Sequence, residues 1–120
     1  MPLTPHQFFR AGIAAANGWS KAQFGHAFDQ LSPAQRIAAL QRMEAGDAEF
    51  DGIPAADFFE ALLQIAMEGF FADPIHGGNR AKAGWTMVGF PGLPAFYAGT
   101  VASHVGKRFE AAPKSIADFL

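Results

Sequence analysis

The sequence predicts an all-α fold: a small helical domain of four to six helices, a Gly/Pro-rich loop region and an extended C-terminal arm. Three observations predict it. Apolar residues recur at three- and four-residue spacing between residues 5 and 71, and no stretch alternates as a half-buried strand would. Thr-Pro and Ser-Pro starts and Gly stops punctuate those segments. The chain has 120 residues, half of them apolar and 17% charged, which suits one domain and excludes a disordered charged tail. We expect a single helical domain over residues 1–120, with a helical core over 1–94 and an arm over 95–120.

Thr4 is placed to N-cap the first helix, with Pro5 at its first position. Phe8, Phe9, Ile13 and Ala16 follow at helical spacing, and Asn17-Gly18 reads as the stop. Ser20 with Gln23 resembles a capping box for a short second helix carrying Phe24 and Phe28. Ser32-Pro33 with Gln35 repeats that start for a third helix, which carries Ile37, Leu40 and Met43 and ends at Gly46. Asp47 to Pro54 is a turn-rich connector. A fourth helix runs from Ala55 to Phe71. Its apolar set is wider than one stripe, which marks a helix central in the domain or lying against a partner. The pairs Phe58-Phe59 and Phe70-Phe71 point in different directions on that helix, so one member of each is a candidate for a second surface.

Beyond it the chain changes character. Asp73 to Arg80 is a polar loop with a Gly pair, and a short helix over Ala81 to Val88 includes Trp85. Gly89-Phe90-Pro91-Gly92-Leu93-Pro94 cannot continue that helix. Another short helix is expected around Gly99 to Val105. Gly106 to Leu120 reads as a mostly extended arm with an apolar tip.

Composition narrows the functions. The formal net charge is −2, so no basic excess advertises nucleic acid or an anionic membrane surface. No window is apolar enough to span a bilayer. Cysteine is absent, which removes disulfides and thiolate metal sites. No secretion signal is visible at the N-terminus. The core vocabulary is unusual: 13 Phe stand against 7 Leu, 6 Ile and 3 Val. That is more aromatic surface than one small core absorbs, and it points to Phe on a contact surface.

Catalytic chemistry finds little support. His6, His26, His76 and His104 form no i+3 or i+4 pair and no HExxH. Asp73 and His76 offer two metal ligands, which do not make a site. Ser103 and His104 are only sequence neighbours, and no G-x-S-x-G exists. Gly77-Gly78-Asn79-Arg80 could cradle an anion. The plainer reading is a tight turn, with Asn79 capping the next helix and Arg80 pairing with a carboxylate such as Asp73. Trp85, beside the Gly/Pro-rich turn, plugs a core or anchors an interface.

The run Glu68-Gly69-Phe70-Phe71-Ala72-Asp73-Pro74-Ile75-His76-Gly77-Gly78-Asn79-Arg80, followed by Gly84-Trp85 and Gly89-Phe90-Pro91-Gly92, resembles the gluconate 2-dehydrogenase subunit 3 family. Upstream, an aromatic-bearing helix and Leu31-Ser32-Pro33-Ala34-Gln35 fit the same pattern, so the resemblance covers about residues 8 to 94. These are the small (gamma) subunits of bacterial membrane-associated, FAD-dependent sugar and sugar-acid dehydrogenases. The resemblance implies a non-catalytic accessory subunit that binds, stabilises and assists the folding and export of a large flavoprotein of the glucose-methanol-choline type. It implies no cofactor on this chain, FAD in the partner, and in some complexes a multihaem cytochrome c subunit. It implies a periplasmic setting, with residence in the cytoplasm as the alternative, because the family's twin-arginine leader is not among these residues. The expected partner surface comprises Phe70, Phe71, Asp73, Pro74, His76, Gly77, Gly78, Asn79, Arg80, Trp85, Phe90 and Pro91, with the arm wrapping the partner. The rival reading is a stand-alone small-ligand domain in which Arg80 and the Gly pair hold an anion or sugar acid. A stand-alone enzyme ranks last, for want of a nucleophile, a base or a metal set.

Overall fold

The computed structural model of the chain describes residues 2–120. Among them are five α-helices and no strand. They are α1 (Pro5–Phe24), α2 (Pro33–Glu44), α3 (Ala55–Phe71), α4 (Ala83–Val88) and α5 (Ala98–Ser103). The chain packs as two compact units, residues 1–64 and 65–120. The boundary falls inside α3, well before residue 94.

In the first unit, α1 starts as its sequence dictates. The Thr4 hydroxyl accepts from the Gln7 N–H, and the Gln7 side chain accepts from the Thr4 N–H at 2.9 Å. The expected stop at Asn17-Gly18 is absent, and so is a second helix starting at Ser20. The helix runs through both to Phe24 and ends on Gly25 in the left-handed region. Two side chains explain the difference. Trp19 and Ser20 are buried, so breaking the helix there would break the core. Asn17 caps nothing: its Oδ1 accepts the Phe28 N–H at 3.2 Å and holds the chain that follows the helix. Phe28 lies in a 3₁₀ turn, Phe28–Gln30.

α2 carries the expected capping box between Ser32 and Gln35. Met43 is buried, but Ile37 faces solvent, against its expected place on the packed face. The core joins Ala16, Trp19, Leu31, Ala39, Met43, Ala48, Ile53, Ala55 and Phe58. Phe8, Phe9, Phe24, Phe28, Phe50 and Phe59 pack around them. Phe58 is the hub, with Phe8, Phe9 and Phe50 rings 5.9 to 6.4 Å away. Gly12 makes this possible, because a Cβ there would meet the Phe58 ring at 2.1 Å. The Arg42 guanidinium sits 4.9 Å over Trp19 as a cation–π cover.

The second unit is built differently. It contains the end of α3, a 3₁₀ turn Pro74–His76, a turn over Arg80–Lys82, α4, α5 and a 3₁₀ turn Ile116–Phe119. α4 starts at Ala83 and α5 ends at Ser103, each about two residues inside its expected span. Trp85 is its one buried large apolar residue. Close backbone approaches and hydrogen bonds replace an apolar core.

Candidate partner-docking site

The loop after α3 is organised by the carbonyls that the helix end leaves unpaired. Asn79 is buried; its Nδ2 donates to the Ala72 carbonyl at 2.9 Å and its Oδ1 accepts the Gly84 N–H at 2.8 Å. Asn79 thus serves α4 from a distance, and it does so in the left-handed conformation, φ 47°. Trp85 Nε1 donates to the Phe71 carbonyl at 2.7 Å. The Gly-Gly and Gly-Trp pairs let the backbone close in. A Cβ at Gly78 would meet the Gly69 carbonyl oxygen at 2.3 Å, and one at Gly84 the Phe70 oxygen at 2.2 Å.

Asp73 is the second organiser. It caps the 3₁₀ turn through the Ile75 N–H, and it also accepts from the Ser115 hydroxyl at 2.7 Å and the Ile116 N–H at 3.1 Å. Ser115 is fully buried. Its N–H donates to Asp118, and Asp118 pairs with Lys82 at 2.7 Å. One turn earlier, the Leu93 N–H donates to the Lys114 carbonyl and the Lys114 N–H to the Pro91 carbonyl. Gly92 is required here: it has φ 70°, and a Cβ would meet the Lys114 oxygen at 2.1 Å. The Tyr97 hydroxyl donates to the Gly92 carbonyl. The arm expected to be extended is pinned along residues 114–118, while Phe109, Ile116 and the tip, Phe119 and Leu120, stay exposed.

Both carboxyls of this latch are held below the ordinary aspartate value. At Asp73 partial burial opposes ionisation, and the hydrogen bonds from Ile75, Ser115 and Ile116 outweigh it. At Asp118 the Lys82 ammonium is the main cause, followed by the Ser115 N–H.

Of the sequence-predicted partner residues, Phe70, Phe71, His76, Gly77, Arg80 and Phe90 are exposed, whereas Asp73, Pro74, Gly78 and Pro91 are half-buried. Asn79 and Trp85 lie beneath this surface and shape it, which resolves Trp85 as a core plug. The expected Arg80–Asp73 pairing is not formed, because Asp73 is committed to Ser115 and Ile116. In the Gly77–Arg80 turn the Gly77 N–H donates to the Pro74 carbonyl. Among the described residues no three His or carboxylate side chains gather, around Asp73 and His76 or elsewhere. Ser103 and His104 meet at 2.9 Å, but both also engage the Thr100 carbonyl at the end of α5. Ser115, Asp118 and Lys82 lie outside the predicted set. The Ser-x-x-Asp pattern at 115–118 is the capping signal that finds them.

No described helix is long and apolar enough to cross a membrane. No curated protein and no solved structure matches the chain. The family model described as gluconate 2-dehydrogenase subunit 3 matches residues 1–92. That span holds the core of the first unit and every loop residue that closes on the end of α3. The chain belongs to the gluconate 2-dehydrogenase subunit 3 family, named for a subunit of an oxidoreductase.

Proposed function

We propose that the chain is a non-catalytic accessory subunit of an FAD-dependent sugar or sugar-acid dehydrogenase of the glucose-methanol-choline type. It binds the large flavoprotein subunit, stabilises it and assists its folding and export. The observation that carries this reading is the family match across residues 1–92. Within the matched loop, Asp73, Asn79 and Trp85 spend their polar groups on the chain's own backbone, which suits a scaffold that presents a surface. Flavin, general base and substrate choice then belong to the large subunit, and a multihaem cytochrome c subunit is a further partner where the complex has one. The working compartment in this reading is the periplasm.

The mechanism is linkage. A subunit that binds only the native flavoprotein stabilises it by RT ln(1 + [L]/Kd), about 2.7 kcal/mol at a hundredfold excess over Kd. Co-expression of the flavoprotein with and without this chain tests the reading. Soluble, flavin-loaded enzyme is expected only with both present, and equal yield and activity of the large subunit alone would refute it.

A further inference from the structure

We propose that the apolar groove formed by Phe90, Pro91, Val101, Val105 and Phe109 seats an apolar segment of the large subunit, with a carboxylate of that segment meeting Lys107. This rests on the accessory-subunit reading and adds where the partner docks and with what chemistry.

The groove encloses about 450 Å³ and lies wholly within the second unit. Its walls are apolar and open to solvent, with Val101 66% and Val105 77% exposed. The unit around it buries one large apolar residue, Trp85, and leaves Met87, Val88, Phe96 and the groove walls uncovered. From these exposures, the uncovered large apolar side chains of residues 65–120 amount to on the order of 1,500 Å². The largest apolar patch of a typical monomer is roughly 300–600 Å², and each side of a stable interface covers about 800 Å². That total is summed over the whole unit; the groove walls Phe90, Val101, Val105 and Phe109 supply on the order of 400 Å² of it, about half of one such side.

The polar groups at the groove fix the chemistry of its occupant. Lys107 is the one Lys or Arg that lines it, and no carboxylate does. Lys107 makes no ion pair among the described residues, whereas the neighbouring Glu110 is taken by Arg108 at 2.7 Å. His104 commits Nδ1 to the Thr100 carbonyl and the Ser103 hydroxyl. The Tyr97 hydroxyl is spent on Gly92. An occupant that desolvates Lys107 must supply an anionic acceptor, because an unpaired buried ammonium is costly. An apolar segment carrying Asp or Glu satisfies both demands.

The test uses the full chain, affinity-tagged and produced in its own host, with photoreactive p-benzoylphenylalanine replacing Val105, or replacing Ile37 of the first unit as a control. Flavin absorbance shows whether a flavoprotein co-purifies, and mass spectrometry after irradiation identifies the cross-linked peptide. Val105 is expected to cross-link to an apolar, carboxylate-bearing peptide of the flavoprotein, and Ile37 to give no such link. Lys107→Glu is expected to reduce flavoprotein recovery at least tenfold, and Lys107→Arg to retain it. With flavoprotein bound, cross-links from Ile37 alone, none at all, or a Val105 link to a second copy of this chain overturn the docking site and leave the subunit reading standing. Wild-type recovery with Lys107→Glu overturns the carboxylate assignment. A wild-type chain that brings down no flavoprotein overturns the subunit reading and the docking site with it.

Discussion

Single atoms decide several features of this chain. A Cβ at Gly92 would strike the Lys114 carbonyl, and the residue's positive φ disfavours any side chain. Gly92→Ala is expected to destabilise the second unit by about 2 kcal/mol or more, read as loss of the protected Leu93 and Lys114 amides in hydrogen exchange. Ser20 illustrates the opposite case. It is fully buried on α1, and its hydroxyl has no hydrogen-bond partner among the described residues. Ser20→Ala should therefore stabilise the first unit by about 1 kcal/mol, and a lowered melting temperature would contradict this. Ser20 also shows where sequence reading stops. Ser-x-x-Gln reads as a cap only if the chain breaks before it. Whether it breaks is decided by the packing of Trp19 beside it, which local pattern does not encode.

Whole elements were legible where local signals and packing agree. The Thr4 and Ser32 caps and the bounds of α3 follow from Pro, Ser/Thr and Gly placement. The arm was not legible, because its anchor lies 42 residues away at Asp73. Its pH dependence follows from the two carboxyls. Asp73 and Asp118 have folded values below that of an ordinary aspartate, so the unfolded chain binds their protons more readily. Their contribution to the latch is complete above the unfolded value and fades as pH falls through the lower folded values. Amides of Ile116 to Asp118 should be protected at pH 6 and lose protection below about pH 3.8. Asp73→Asn should loosen them already at pH 6, and a pH-independent tail would contradict the assignment.

At the scale of the molecule, aromatic residues divide between two tasks. Seven Phe, from Phe8 to Phe59, pack in or against the core of the first unit. The six from Phe70 to Phe119 are all 38 to 80% exposed. Composition alone announced an excess of Phe, and the fold assigns the excess to one unit. Formal charge divides as well. Residues 1–64 carry four Lys/Arg and seven Asp/Glu, for −3, and residues 65–120 carry five and four, for +1. The stabilities should differ accordingly, since nine buried apolar residues stand against one. Trp19 and Trp85 report one unit each. In denaturant, fluorescence from a Trp19→Phe chain should change earlier than that from a Trp85→Phe chain, and coincident transitions would contradict the unequal cores.

The latch also has a place in time. Asp73 leaves the site of synthesis 42 residues before Ser115, an interval of roughly 2 to 8 seconds at 5–20 residues per second. During that interval the loop has its own turns but no lock. It is completed only when residues 115–118 arrive. A chain that stops before Ser115 would therefore carry every residue of the family match and still leave that loop unfinished.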